Sequence, residues 1–318
     1  MLDYGVQPVF LMIRWENGCR HRRRLSMKYG IYISYWEKEW GGDPIAYVER
    51  VKNLGFDILE VACQDFLGKE DAYMERLRES ARAAGLRLTG GYGPDAAHNI
   101  SSADPSIVKA AFEKYEAMFK KMQIAGIDLL GGGLYTYWPA DYSKPVDKIG
   151  DTARAITNVR ELGDMAAAYG ITLGMEVLNR FEGYLLNTCE EALDLVTKID
   201  RPNVKIMLDT FHMNVEEDSF GDAVRLAGPL LGHMHVGEAN RRPPHEGGRI
   251  PWKEIGDALH EIGYDGDVVM EPFVRQGGGI GRDICVWRDL TKGEGPALTA
   301  KLDEDAARSV AFLRGLWG

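Results

Sequence analysis

The sequence predicts an α/β protein with one closed (β/α)8 TIM barrel over residues 27–318, and three observations carry that expectation. From Met27 onward, short apolar or β-branched runs alternate eight times with amphipathic stretches of helical period. Most of the helical stretches are followed within a position or so by glycine, where a left-handed cap favours it. The G-x-G-x-x-G fingerprint of a dinucleotide-binding open sheet is missing after the first strand, and such sheets usually stop at five or six strands.

Taken in order, the first strand is expected over 29–34 and a helix over 44–54, stopped by Gly55. Strand Ile58–Ala62 leads to a helix over 72–84 and Gly85, then strand 86–92. The third helix, 107–125, has Asp104 before Pro105 as its N-cap and ends at Gly126. Strand Leu129–Gly132 runs into Gly133; this glycine triplet reads as close backbone packing at the barrel mouth, because alone it is weak evidence for a phosphate cradle. A helix over 152–169 and Gly170 precede strand 171–176, and a helix over 190–199 precedes strand Val204–Asp209. Strand 231–235, helix Trp252–Ile262 with Gly263, strand 267–271 and a closing helix over 303–316 complete the count.

Residues 1–26 break the pattern. An apolar patch over 9–13 precedes Arg20-His21-Arg22-Arg23-Arg24, the reverse of the order in a secretory signal, and Asp3 and Glu16 argue against a transit peptide. The segment is expected to be an N-terminal extension outside the barrel with no catalytic role.

The 318 residues are 45% hydrophobic and 27% charged, enough for a substantial buried core. A net charge of −10 gives no electrostatic reason to approach nucleic acid or an anionic membrane. No apolar run is long enough to span a bilayer. Cys19, Cys63, Cys189 and Cys285 form no C-x-x-C pair, so they are expected to be reduced and structural, in a reducing cytoplasm.

In a barrel of this kind the carboxyl ends of the strands form the functional face. Strands 5 to 8 are expected to end at Glu176, Asp209, His235 and Glu271, four metal-ligand types in succession. Carboxylates with one imidazole suit Mn²⁺, Co²⁺ or Mg²⁺ better than a tetrahedral zinc site. His233, two residues before His235, shares its face and is expected one layer deeper as a core histidine. His212, in the loop after strand 6, is placed to meet a substrate oxygen, whereas His98 reads as an ordinary loop histidine.

These residues lie in longer strings: Gly174-Met175-Glu176-Val177-Leu178-Asn179-Arg180-Phe181-Glu182, Met207-Leu208-Asp209-Thr210-Phe211-His212-Met213-Asn214 and Val269-Met270-Glu271-Pro272-Phe273-Val274-Arg275. With Gly30-Ile31-Tyr32, Tyr137-Trp138-Pro139 and Gly232-His233-Met234-His235 leading to Glu238, Asn240 and Arg241, the chain resembles the D-allulose (D-psicose) and D-tagatose 3-epimerase family over roughly residues 27–290. The resemblance implies a xylose isomerase-like barrel, bound Mn²⁺ or Co²⁺, a homodimer or homotetramer, and epimerisation of free ketohexoses at carbon 3. It assigns the metal to Glu176, Asp209, His235 and Glu271, and acid/base roles to Glu176 and Glu271. Glu182, His212 and Arg241 would contact substrate, and Tyr32, Trp138 and Phe273 would shape the apolar side of the pocket. The basic extension and Gly133, where relatives often carry a small side chain, depart from the family pattern.

Elementary chemistry points the same way. Inverting a carbon beside a ketone requires a base on each face, and strands 5 and 8 are expected on opposite sides of the mouth. A divalent ion would stabilise the enediolate and keep both glutamates ionised. Arg241 could add positive charge there, or pair with Glu238 or Glu182 at the surface. Of the aromatics Tyr35, Trp36, Trp40, Tyr137 and Trp138, Trp138 and Trp36 are expected to stack on sugar. An aldose-ketose isomerase is the nearest rival; a multi-zinc abasic-site endonuclease lacks the histidines and basic patch it needs, and a non-catalytic sugar-binding barrel would not require two ionised glutamates.

Overall fold

The computed structural model describes residues 26–318, so the expected extension over 1–26 lies almost wholly outside the described residues. Eight parallel strands close into a barrel in chain order: β1 Lys28–Tyr32, β2 Ile58–Ala62, β3 Arg87–Gly91, β4 Leu129–Gly132, β5 Thr172–Glu176, β6 Val204–Asp209, β7 Leu231–Val236 and β8 Asp267–Met270. Pairing of Gly30 with Val269 and with Ile58 joins β1 to both neighbours and leaves no free edge.

The helices are α1 Pro44–Asn53, α2 Asp71–Ala84, α3 Pro105–Ala125, α4 Lys148–Ala168, α5 Cys189–Ile199, α6 Thr210–Glu216, α7 Phe220–Ala227, α8 Trp252–Ile262, α9 Gly278–Asp283 and α10 Gly295–Trp317. Asp104 caps α3 by accepting from the Ser106 N–H at 2.8 Å, and Pro105 sits in the first turn, as expected. Gly126 then ends that helix at φ +73°, a conformation that side chains with a Cβ rarely adopt.

The structure departs from the sequence reading at several ends. The eight-fold alternation implies a helix between β6 and β7 but no bounds were read for it; two short helices, α6 and α7, fill that crossover, each about two turns and too short for a clear periodicity. α4 and α10 begin four and eight residues earlier than expected; Pro296 sits in the first turn of α10, where proline is tolerated. β1 stops at Tyr32 and turns into a 3-10 segment, Ile33–Trp36. That turn drives Tyr35 and Trp36 under α10, where the Tyr35 hydroxyl donates to the Leu302 carbonyl and Trp36 Nε1 to Asp303. Trp36 is therefore a packing residue of the outer shell and does not line the cavity at the mouth.

β5 and β8 are three steps apart around the eight-strand ring, where four would be diametric. β5 ends at Glu176 and β6 at Asp209; His235 precedes the end of β7, and Glu271 lies one residue beyond β8, its N–H still donating to the Val236 carbonyl. The four expected ligands thus stand at one level of the carboxyl rim.

Candidate active site

A cavity of about 430 Å³ opens at that rim. Nine of the ten residues singled out in the sequence line it: Tyr32, Trp138, Glu176, Glu182, His212, His235, Arg241, Glu271 and Phe273. Asp209, buried just beneath, completes a set in which one ligand atom each from Glu176, Asp209, His235 and Glu271 lies within 4.8 Å of every other. Trp40 lines the wall in the place expected for Trp36; its ring meets Trp138 edge-on at 6.2 Å and Phe273 at 6.0 Å, and its Nε1 donates to Asp283 at 2.8 Å. Gly131, Gly132 and Gly133 line the floor, and a Cβ on Gly132 would meet the Tyr92 carbonyl at 2.2 Å, so the triplet serves close packing.

Asp209 divides its two oxygens. Oδ1 caps α6 by accepting from the Phe211 N–H at 2.8 Å, while Oδ2 faces Arg241 Nη1 at 3.2 Å. His212, three residues after Asp209 on the same helix, has Nδ1 against two donors of Asn179: the backbone N–H at 3.1 Å and the side-chain amide at 2.7 Å. Its Nε2 lies 3.6 Å from Glu176 Oε1 and 3.8 Å from Asp209 Oδ2. Burial pushes the imidazole below its ordinary value, against the opposing pull of Glu182 and Asp209, so the ring is held neutral.

Arg241 is buried rather than exposed and does not pair with Glu238, whose carboxylate instead accepts from Trp252 Nε1 and the Arg249 N–H. It donates to Glu271 at 2.8 Å and approaches Glu182 at 3.4 Å, with its guanidinium 3.7 Å from the Phe211 ring centroid. Its backbone sits at φ +60°, a left-handed conformation costing about 1–2 kcal/mol in a residue with a Cβ. Two backbone hydrogen bonds, Arg241 N–H to the Glu238 carbonyl and Phe273 N–H to the Arg241 carbonyl, offset that cost and fix the side chain over the site.

Three carboxylates, an imidazole and one arginine crowd together with little of their surface exposed. Burial first, and the charge of Glu271 next, push Glu176 well above the ordinary carboxylate range. A cation among these oxygens would relieve that repulsion. His235 adds a direct sign of a missing partner: its buried Nδ1 has no hydrogen-bond partner among the described residues and stands 3.6 Å from Glu271 Oε2. The donor set, oxygen-rich with one nitrogen, fits a hard divalent ion.

Sequence reasoning missed Glu60. It is wholly buried on β2 and holds both histidines of β7, His233 Nε2 at 2.9 Å and His235 Nε2 at 2.5 Å. The signal was present, since a lone carboxylate inside the apolar strand Ile58–Ala62 demands a partner. His233 is a deeper core histidine, as expected, and His98 pairs with Asp95 at 2.7 Å away from the cavity lining. Cys63 and Cys189 are buried free thiols; Cys285, expected to be structural, is exposed. Cys19 lies outside the described residues.

The Xylose isomerase-like TIM barrel family model matches residues 48–314. A D-psicose 3-epimerase of Agrobacterium fabrum is 51% identical over 292 residues, spanning 92% of this chain and 100% of its own length. A crystal structure of D-psicose 3-epimerase with D-tagatose from Clostridium cellulolyticum H10 matches with a TM-score of 0.89 and 49% identity, covering 92% of this chain and 99% of that one. A second, of D-psicose 3-epimerase in the presence of D-fructose, matches with a TM-score of 0.89 and 51% identity over 92% and 100%. The chain therefore belongs to the ketose 3-epimerases, isomerases built on the xylose isomerase-like TIM barrel.

Proposed function

We propose that this chain interconverts free ketohexoses by inverting carbon 3, D-fructose with D-allulose and also D-tagatose with D-sorbose. The observation that carries the reading is the meeting of Glu176 and Glu271 over one cavity, from strands three apart in the ring, with oxygens within 4.8 Å of each other. Relatives characterised as D-psicose 3-epimerases, one crystallised with D-tagatose and another in the presence of D-fructose, support the substrate class.

Glu176, Asp209, His235 and Glu271 would hold Mn²⁺ or Co²⁺, with Mg²⁺ compatible. Bound there, the ion supplies Lewis acidity toward the ketone and adjacent hydroxyl oxygens and offsets the repulsion between the carboxylates. Glu176 and Glu271 act as the acid/base pair: one removes the carbon 3 proton from one face and the other delivers a proton to the opposite face of the enediolate. Neutral His212, with Nδ1 engaged by Asn179, offers its Nε2–H to a sugar oxygen. Arg241 contributes fixed positive charge, and Glu182, anchored by Trp138 Nε1 at 3.1 Å and Asn179 at 3.0 Å, accepts from a sugar hydroxyl. Tyr32, Trp40, Trp138 and Phe273 cover the apolar face of the ring and exclude water.

We place the enzyme in the cytoplasm, a setting that suits its free thiols, and assign it a small-molecule sugar as substrate. No helix among the described residues is long and apolar enough to cross a membrane. A homodimer or homotetramer is supported by large apolar side chains left exposed at Ile149, Phe181 and Trp287. Chromatography of the product from D-fructose tests the activity: D-allulose is expected, and an aldose would instead identify an aldose-ketose isomerase.

A further inference from the structure

The carboxylate of Glu60 is 0% exposed, in a strand whose other side chains are all buried. Isolation there would be costly, so its contacts are informative. Oε1 lies 2.5 Å from His235 Nε2; Oε2 lies 2.9 Å from His233 Nε2 and accepts from the Thr89 hydroxyl at 2.8 Å. An ionised carboxylate can only accept, so both imidazoles present Nε2–H to it. In a neutral ring this leaves Nδ1 as the lone-pair atom. For His235 that atom has no hydrogen-bond partner among the described residues and lies on the side of Glu271.

We propose that Glu60 is a positioning residue that fixes His235 in its Nε2–H tautomer and presents Nδ1 as the metal-ligating atom, with His233 and Thr89 pinning the opposite oxygen of Glu60. The inference rests on the reading of Glu176, Asp209, His235 and Glu271 as the metal site. Without Glu60 the ring is free to take its proton at either nitrogen and to rotate, and the ligand it offers is weaker and less well aimed. Glu60, His233 and His235 do not form a second metal cradle: their separations are hydrogen-bond lengths and Thr89 takes the remaining lone pair of Oε2. The arrangement spans the barrel interior, since β2 and β7 are three strands apart through β1 and β8.

The test is Mn²⁺ binding to metal-free protein, followed by the paramagnetic resonance signal of free Mn²⁺, in wild type and Glu60→Leu, which keeps an apolar filling but removes both acceptors. The dissociation constant is expected to rise about 10- to 100-fold. A wild-type constant in a folded Glu60→Leu protein would overturn the proposal. A second measurement needs no variant. Long-range proton–nitrogen correlation on nitrogen-15 histidine-labelled wild type loaded with Mg²⁺ should show the His235 proton on Nε2, and a proton on Nδ1 would overturn the proposal whether or not the variant folds. Wild type that takes up no Mn²⁺ would remove the metal reading itself, and this inference with it.

Discussion

The backbone N–H of Asn179 donates to His212 Nδ1 at 3.1 Å, tying the loop after β5 to the helix after β6. Because the Asn179 side chain also reaches that nitrogen, the neutral ring carries its proton on Nε2, toward the cavity.

His212→Ala should lower kcat/KM about 10- to 100-fold, the scale of one buried hydrogen bond lost to a reacting oxygen. Burial holds the His212 pKa below its ordinary value, so near pH 6.5 the unfolded chain binds a proton that the folded chain does not. This contribution to stability is complete above the unfolded value and is lost as pH falls through the lowered folded value. Melting curves from pH 8 to 5 should therefore fall more steeply for wild type than for His212→Ala; parallel curves would show that the ring is not held neutral.

Chelation should abolish turnover, and Mn²⁺ or Co²⁺ should restore it better than Zn²⁺, because three carboxylates and one imidazole favour an expanded, oxygen-rich shell. An ion bound only by the folded chain adds about 4 kcal/mol at a thousandfold excess over its dissociation constant, so the melting temperature should drop on chelation. Full activity in protein that elemental analysis finds metal-free would end this reading.

The barrel was legible because its signals are local: β-then-α alternation, the aspartate before Pro105, the glycines that close helices. The rim residues were legible because a strand's last position at the carboxyl face fixes where its side chain goes. What escaped depends on contacts far apart in sequence. Trp36 and Trp40 read alike as loop tryptophans, and only the 3-10 turn after β1 and its packing under α10 separate the structural one from the cavity wall. Glu60 is 173 and 175 residues from the histidines it holds, so its partners emerge only when the barrel closes. Arg241 could not be read as buried, because its depth depends on a left-handed backbone position that composition does not announce.

Deleting residues 1–26 should leave kcat nearly unchanged. Among the described residues the first strand starts at Lys28, and those lining the cavity come from Tyr32 onward. Steady-state kinetics on the truncated enzyme checks this; a large fall in kcat would place the extension at the site, while a fall in melting temperature alone would place it against the barrel or a second subunit.

The two-base assignment makes the sharpest prediction. With Glu176 serving one face of carbon 3 and Glu271 the other, epimerisation in heavy water should place solvent deuterium at carbon 3 of the product, read by NMR. Glu176→Gln and Glu271→Gln each keep an oxygen at the rim but remove a base, and each should cost the ~10² to ~10⁴ typical of a missing acid/base group. The surviving glutamate can still remove and return a proton on its own face, so each variant should exchange the carbon 3 proton of one epimer only, and the exchanging epimer should switch between the two variants. Metal content measured alongside separates loss of a base from loss of the ion. A product without deuterium can arise when a shielded carboxylate returns its own proton, so the decisive observation is the asymmetry: equal residual exchange from both epimers in both metal-loaded variants would defeat the assignment of one glutamate to each face.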